Sequence, residues 1–248
     1  MKVHAYCVLS NHFHLVVTDV DARLPAFEQY VNSLVARAVN SSLGRWENFW
    51  APSTYSAVAL ASAADIVEKA AYVLANPVAA GLVRHGREWP GLRSEPGFVG
   101  GAPIVATRPT AFFRSKGYLP DTAELELTPP PGFSAEAFAA ALEERVTDMD
   151  DDARRKLAAA RRGFLGAAKV RAQNPLARPS SEERRRELNP RIAARDKWKR
   201  FEALSRLVEF LREYRNAWTA RRSGLRVAFP AGTYLLRVLH DVPCLAPS

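Results

Sequence analysis

The fold is decided by residues 5–17, which read AYCVLSNHFHLVV. Apolar residues continue on both sides of Ser10-Asn11, and a run of this kind is typical of β-structure. We therefore expect two strands, over residues 2–9 and 12–20. One long strand with a bend or bulge would fit the same pattern.

Two histidines in this stretch form the first candidate site. Side chains alternate along a strand, so His12 and His14 are expected on one face of the sheet and Phe13 on the other. Two neutral imidazoles side by side can hold a divalent metal ion. A hydrogen-bonded or surface pair is the simpler alternative, because this pattern is common on strands.

A second candidate pair, Tyr72 and Asn76, lies further along the chain in a helical pattern. The expected helix has Ser62 as its N-cap and Asp65 at its third position, a capping-box-like arrangement. Residues four apart share a helix face, so the phenol and the amide are presented together. Pro77 disfavours helical backbone at the preceding residue, so the helix is expected to end or kink at Asn76. A lone tyrosine in a helix is otherwise usually a core residue.

Apolar periodicity and turn residues predict the other elements. These are a helix from Pro25 to Leu43, an aromatic connector over residues 45–50, a strand from Tyr55 to Leu60, a helical stretch over residues 134–166 interrupted at Thr147–Asp152, a basic helix over residues 180–222, and a strand or short helix within residues 225–242. The apolar face of the basic helix is expected to comprise Trp198, Phe201, Leu204, Leu207, Val208, Leu211, Tyr214 and Trp218.

The composition indicates a folded protein without a membrane span. The chain has 248 residues, of which 48% are hydrophobic, enough for one large domain or two small ones with a packed core. No apolar run reaches the length of a membrane-spanning helix, and the N-terminus has no signal-peptide pattern. Cys7 and Cys244 form no paired motif, which predicts free thiols in a reducing, cytoplasmic setting.

The positive charge is concentrated in one part of the chain. The net charge is +9, yet residues 1–90 contain seven basic and seven acidic side chains. Residues 153–226 carry 22 basic and 7 acidic side chains. Such a segment suits a polyanionic partner, which it would bind with release of counterions. A solvated helical surface is the alternative interpretation.

Two segments of the chain resemble one protein family. The segment Val8–Val17 resembles the HUH motif of single-tyrosine transposases. The segment Tyr72–Val83, which reads YVLANPVAAGLV, resembles their catalytic-helix signature in the form found in the REP-associated tyrosine transposase branch. The two segments occur in the expected order and at the expected separation, and the resemblance covers roughly residues 1–95.

The resemblance implies a fold and a chemistry. The fold would be α+β: a ferredoxin-like antiparallel sheet with helices on one face, followed by a mostly helical basic extension. Tyr72 would attack a DNA phosphate and form a 5′-phosphotyrosine. His12, His14 and the Asn76 carbonyl would hold Mg²⁺ or Mn²⁺, and imidazole ligands suit Mn²⁺ at least as well. The partner would be single-stranded or hairpin DNA, and the sequence leaves a homodimer open.

One departure from the family lies at the N-terminus. Family members carry a strand and a helix before the HUH strand, whereas this chain starts almost at the motif. The domain is therefore expected to be N-terminally incomplete, with an exposed strand edge. Three explanations stay open: a start codon further upstream, a decayed gene copy, or cover of the gap by the C-terminal region.

The predicted organisation has three parts: an HUH transposase-like domain over residues 1–95, a Pro/Gly-rich connector over residues 96–133, and a helical basic region over residues 134–248. The function expected first is that of a DNA transposase or single-strand endonuclease. The alternatives are an inactive nucleic-acid-binding remnant of a transposase and a structural protein unrelated to DNA.

Several other polar or aromatic residues are weaker candidates. His4 is expected at the surface. Arg84 and His85 follow the predicted helix and are candidates for phosphate contacts. Arg45 and Trp46 are candidates for DNA contacts by charge and stacking, although Trp46 and Trp50 are of a type more often found in a core.

Overall fold

The structure is a computed structural model. It describes residues 1–50, 55–110, 112–113, 117–177 and 191–246. The protein is a mixed α+β molecule with small sheets and several helices, as the sequence predicts. Within the described part of the chain, none of the helices combines the length and the apolar character needed to cross a membrane.

The two predicted N-terminal strands form an antiparallel hairpin. Strand β1 spans Lys2–Val8 and strand β2 spans Phe13–Thr18. The hydrogen bond from Leu9 N to His12 O, at 2.8 Å, closes the turn between them. A register shift between Val3 and Ala5 marks a β-bulge in β1.

The other edge of β1 is covered by chain from beyond the hairpin. Val8 N donates to Leu92 O at 2.8 Å, and Ser94 N donates to Tyr6 O at 2.9 Å. Thr128 N donates to Val3 O at 3.0 Å. The expected exposed strand edge is therefore not found along β1, because two later segments satisfy its backbone groups.

The first helix, α1, spans Leu24–Leu43 and agrees with the predicted bounds. A proline stands in its first turn, and Gly44 ends it in the left-handed conformation at φ +61°. None of its residues is fully buried. The predicted strand from Tyr55 to Leu60 is reduced to β3, Ala59–Leu60.

The second helix, α2, spans Ala63–Ala79 and begins as the sequence predicts. The Ser62 side chain accepts a hydrogen bond from Asp65 N at 3.2 Å. Of the two expectations for Asn76, an end of the helix or a kink, the first is wrong, because the helix continues through Pro77 to Ala79. Less than one turn follows the proline, and Ala80 N still donates to Asn76 O at 2.9 Å.

The segment predicted as a connector contains regular structure. It includes a single 3₁₀ turn at Pro96–Phe98, followed by a short antiparallel ribbon of β4, Ile104–Thr107, and β5, Thr122–Leu125. A further 3₁₀ turn, at Gly86–Glu88, lies before the predicted connector. Both strands are short and largely exposed, so they leave little apolar periodicity in the sequence.

The third helix, α3, spans Ala135–Ala159 without a break. The predicted interruption at Thr147–Asp152 is wrong. Helical ion pairs link Asp151 to Arg154 and Asp152 to Arg155, and the Thr147 hydroxyl donates to Glu143 O at 2.9 Å. These contacts stabilise a stretch whose polar residues suggested a loop.

A main apolar core joins the hairpin, α2 and α3. Its fully buried members include Ala5 and Cys7 of β1, Leu74 and Val78 of α2, and Phe138 of α3. Burial also raises the pKa of the Cys7 thiol to about 11, so this thiol stays protonated. Both cysteines are free, as the sequence predicts.

Further helices and a short strand follow α3 in the C-terminal region. After a five-residue helix, α4, at Ala167–Arg171, the chain forms β6, Ile192–Ala193, parallel to β3. Helix α5 then spans Lys197–Arg222, and a short helix, α6, spans Leu235–His240. Residues 180–190 of the predicted basic helix lie outside the described residues, and Ile192–Ala193, which the prediction also included in the helix, is strand.

The predicted apolar face of α5 is mostly not packed. A small second core contains Ala217, Phe229 and Val242, with Tyr214 against it. Most of the large apolar residues predicted for that face remain exposed, among them Trp198, Phe201 and Val208. The prediction of a helix here is confirmed, but burial of its apolar face is not.

Candidate active site

Helix α2 presents Tyr72 and Asn76 because its other faces are occupied by the core. Ala71 and Leu74 are fully buried, whereas Tyr72 is 46% exposed. The capping interaction between Ser62 and Asp65 fixes where the helix begins. The phenol therefore lies at the protein surface, and the burial expected of an ordinary core tyrosine is absent.

The start of strand β2 presents the histidine pair: His14 lies in the strand, and His12 immediately precedes its first residue. The ring centroids of His12 and His14 are 4.9 Å apart. Phe13 lies on the opposite side, where its ring packs edge-on against Trp50 at a centroid distance of 5.8 Å. The alternation predicted from the sequence agrees with this arrangement.

The two candidate pairs meet in the folded protein. His14 Nε2 lies 3.2 Å from the side-chain amide nitrogen of Asn76. The ring centroids of His14 and Tyr72 are 5.8 Å apart, with the rings edge to face. One histidine of β2 thus contacts both candidate residues of α2, although sixty-two residues separate His14 from Asn76.

The protonation state of His14 suits ligation. Burial lowers the pKa of His14, and the positive charge of a protonated His12 lowers it further. His14 is therefore held neutral, with Nε2 accepting from Asn76 and the proton on Nδ1. In His12, Nδ1 donates to Asn11 Oδ1 at 2.7 Å.

The side chains of His12, His14 and Asn76 could supply some of the ligands of a six-coordinate divalent cation. Ligand atoms at adjacent positions of an octahedral ion are about 3 Å apart. The separation of 3.2 Å between His14 Nε2 and the Asn76 amide matches that edge once the amide is turned to present Oδ1. Two imidazoles and one neutral carbonyl leave further positions for other oxygens. Among the described residues, no group of three His, Cys, Asp or Glu side chains forms a metal site.

Lys69 is a site residue that the sequence interpretation missed. Its Nζ lies 5.4 Å from the centroid of the Tyr72 ring. The sequence contains one indication of this proximity: Lys69 precedes Tyr72 by three residues, and residues three apart on a helix are neighbours on one face. A lysine beside the phenol brings positive charge to the place where an anionic phosphate and a phenolate would lie.

His4 is not at the surface, so that expectation is wrong. The β-bulge turns it inward, and only 2% of it is exposed. Its Nδ1 donates to Thr128 O and its Nε2 accepts from the Thr18 hydroxyl, both at 2.7 Å. His4 therefore links β1, β2 and the segment at residue 128, and it is not part of the site.

The remaining weak candidates lie elsewhere. Arg45 pairs with Glu47 at 3.2 Å, and Trp46 is 97% exposed, so Trp46 is not a core residue. Trp50 is half-buried, and its indole N–H donates to Asn32 O at 2.8 Å. These contacts do not bring Arg45 or Trp46 to Tyr72.

His85 lines a separate cavity of about 330 Å³ together with Arg93 and Asp150. Arg93 Nε donates to Leu74 O at 2.8 Å, and its guanidinium pairs with Glu95. Burial raises the pKa of Asp150, while the charge of Arg93 opposes that rise. Leu74 lies on α2 between Tyr72 and Asn76, so Arg93 helps to fix the helix that carries the site.

Comparison with protein-family models, with curated proteins and with solved structures gave no match. The assignment of a function therefore depends on the residues and on their arrangement.

Proposed function

We propose that this chain is a DNA transposase or single-strand DNA endonuclease of the HUH single-tyrosine type, with Tyr72 as its nucleophile. The observation that carries the proposal is the contact of His14 with both Asn76 and Tyr72. Three residues selected from two separate motifs lie within one site, which is the arrangement that the chemistry requires.

The ferredoxin-like sheet of that family is part of the proposal. The β1–β2 hairpin, packed on α2 and extended at the β1 edge by residues 92–94, supports it. The three-part organisation, with boundaries near residues 95 and 133, also stays a prediction.

The proposed reaction is an attack of the Tyr72 phenol on a DNA phosphate. The phenol gives up its proton, a bond forms between its oxygen and phosphorus, and the bond to the 3′ oxygen breaks. The product is a 5′-phosphotyrosine with a free 3′-hydroxyl, and the reverse step rejoins the strand. Exposure of Tyr72 supports this role, because a buried phenol would not reach a DNA strand.

His12, His14 and Asn76 would hold Mg²⁺ or Mn²⁺. When bound, such an ion polarises the phosphate oxygens and stabilises the charge that develops on them. The neutral state of His14 supports ligation, since only an unprotonated imidazole nitrogen binds a metal. Lys69 would attract the phosphate toward Tyr72.

Single-stranded or hairpin DNA is the proposed substrate. The positive segment over residues 153–226 supports a polyanionic partner. Helix α5 accounts for eight of its basic residues and three of its acidic ones. Residues near the start of α5 are tied to α2 by a hydrogen bond of 2.7 Å from Arg195 N to Asp65 Oδ1.

A second candidate function is nucleic-acid binding without cleavage, as expected of an inactive remnant. The neutral third donor favours it, because an Asn carbonyl holds a divalent cation less strongly than a carboxylate does. Incubation of the full chain with a labelled hairpin oligonucleotide and Mn²⁺ separates the two. Cleavage that EDTA abolishes supports the transposase proposal. Binding without cleavage, across a series of hairpins with different flanking strands, supports the remnant.

A further inference from the structure

We infer that one exposed face of α5 is a binding platform for single-stranded nucleic acid, separate from the Tyr72 site. The inference rests on the proposed function for its choice of partner. The face is defined by residues that recur at steps of three and four along the helix, which places them on one side. They are Lys197, Phe201, Leu204, Val208, Leu211, Arg215, Trp218 and Arg222, and we call them the α5 stripe.

The apolar members of the stripe are unusually accessible. Phe201 and Val208 are each 65% exposed, and Leu204, Leu211 and Trp218 are exposed by about two-fifths. The second core reaches α5 only from another side, through Tyr214 and Ala217. Among the described residues, no member of the stripe belongs to either apolar core, and a continuous apolar surface of this kind marks an interaction site.

The charged residues in the stripe and on its border are all basic. Lys197, Arg215 and Arg222 lie in the stripe, and Arg200 lies one turn before Leu204 on its border. Within the described part of the chain, no carboxylate forms an ion pair with any of these four. The acidic residues of α5 share a different face, at Glu202, Glu209 and Glu213.

This charge pattern argues against a second copy of the chain as the occupant. Two α5 helices packed along their stripes would bring the four basic residues of both copies together without a carboxylate between them. Like charges at such short range are unfavourable, and most so where the apolar surface around them is removed from water.

A single nucleic-acid strand matches the mixed character of the stripe. Its phosphates pair with Lys and Arg, and its bases present apolar faces that stack on Phe and Trp. In a duplex these base faces are stacked on one another and hidden, so the apolar half of the stripe would find no partner there. The stripe therefore favours an unpaired strand.

The test uses the full-length protein and a fluorescent oligothymidylate, with binding measured by anisotropy over a range of salt concentrations. The stripe variant is Arg200→Gln/Arg215→Gln/Arg222→Gln. The matched control is Lys199→Gln/Arg206→Gln/Arg221→Gln, which removes the same charge from exposed residues on the Ala217 side of the helix. Circular dichroism checks that both variants keep their helix content.

The stripe variant should bind the oligothymidylate at least about tenfold more weakly than the control does. The salt dependence of its affinity should correspond to about two fewer released counterions than that of the control. Equal loss in the two variants would overturn the inference, because the effect would then be one of net charge alone. Self-association of the wild-type chain without DNA binding would also overturn it, in favour of a second copy. The inference would likewise be overturned if the protein bound an acidic amphipathic peptide and did not bind the oligothymidylate.

A second comparison isolates the apolar contacts. Phe201→Ala should weaken binding of oligothymidylate by about tenfold, since base stacking on an aromatic ring is lost. It should leave binding of an abasic strand of equal length unchanged, because that strand has phosphates but no bases. Equal effects on both strands would contradict stacking on Phe201.

The proposed function can fail independently of this inference. A wild-type protein that binds through the stripe and never cleaves DNA would reject the cleavage proposal alone. A protein that cleaves a hairpin and shows no difference between the two triple variants would reject the stripe alone.

Discussion

The Nε2 atom of His14 lies 3.2 Å from the side-chain amide nitrogen of Asn76. The first residue belongs to strand β2 and the second to helix α2, so the contact exists only in the folded chain. The Asn76 amide has an oxygen on its other branch, and a half-turn of the amide would place two metal-binding atoms at this spacing. A histidine pair that was merely a surface feature of the hairpin would not need a partner on α2.

Metal affinity should depend on the histidine pair and not on the residue between them. His12→Ala and His14→Ala should each weaken Mn²⁺ binding by more than about tenfold, because each removes an imidazole ligand. Phe13→Leu should leave affinity nearly unchanged, since Phe13 packs on Trp50 away from the site. Isothermal titration of the full chain with Mn²⁺ measures all three. Equal loss in the three variants would mean that folding, and not ligation, was affected.

Acid should destabilise the fold through His4. Burial lowers the pKa of His4, so the folded state favours the neutral ring. The corresponding stability is complete above the ordinary pKa of 6.5 and is lost as pH falls through the lowered pKa of the folded state. Urea unfolding of the wild type should therefore show a loss of stability on acidification.

The variant His4→Gln provides the control for that pH dependence. At neutral pH it should be less stable by about 1–3 kcal/mol, because hydrogen bonds to Thr128 O and Thr18 are disturbed. Its stability should change less between neutral and mildly acidic pH than that of the wild type. A parallel decline in the two proteins would assign the acid sensitivity to other groups, among which His14 also has a lowered pKa.

The sequence predicts those features that depend on local chemistry. Ser62 caps α2 and Gly44 ends α1 because capping involves only neighbouring residues. The shared face of His12 and His14 follows from strand alternation, and that of Tyr72 and Asn76 follows from helical spacing. The meeting of the two pairs was expected from a family resemblance, and local patterns alone do not contain it.

The features that the sequence did not predict depend on tertiary contacts. His4 is buried because a bulge shifts its register and because both ring nitrogens find partners inside the protein: Nδ1 donates to Thr128 O, and Nε2 accepts from the Thr18 hydroxyl. The acidic stretch around Asp150 stays helical because one side of α3 packs on α2, with Val146 and Ala153 in the core. The apolar residues of α5 recur at helical spacing, which correctly predicted the helix. This spacing does not determine whether the apolar face is buried.

The buried carboxyl of Asp150 should cost stability at neutral pH. Burial raises its pKa, against the opposing charges of Arg93 and Arg154, and its Oδ1 has no hydrogen-bond partner within the described structure. Since the pKa is raised, the favourable contribution is present below the ordinary value of 3.8 and is lost as pH rises through the folded-state value. Asp150→Asn keeps the shape without the charge, so it should raise the midpoint of urea unfolding at neutral pH.

The matched control for Asp150 is Asp148→Asn on the same helix. Asp148 is exposed and pairs with Arg145 only at 3.6 Å, so its loss should change stability by less than about 1 kcal/mol. A decrease in stability on Asp150→Asn would contradict the prediction. It would mean that attraction to Arg93 and Arg154 outweighs the cost of burying the charge.

Tyr72 should be the residue that becomes covalently joined to DNA. It is the exposed phenol beside His14, with Lys69 close to its ring, so a strand held at this site would meet its oxygen first. Tyr72→Phe removes the attacking oxygen and keeps the ring, so the fold and DNA binding should be retained. Incubation with end-labelled single-stranded DNA and Mn²⁺ should give a denaturation-resistant adduct with the wild type and none with the variant.

Two comparisons make this last experiment decisive. Tyr6→Phe alters another tyrosine, on β1, and should leave the adduct unchanged, which excludes a general effect of losing a phenol. Lys69→Gln should lower the rate of adduct formation by about tenfold or more, because one positive group beside the developing charge is lost. An adduct that persists in Tyr72→Phe would move the nucleophile to another residue. A wild-type protein that binds the DNA and forms no adduct would favour nucleic-acid binding without cleavage.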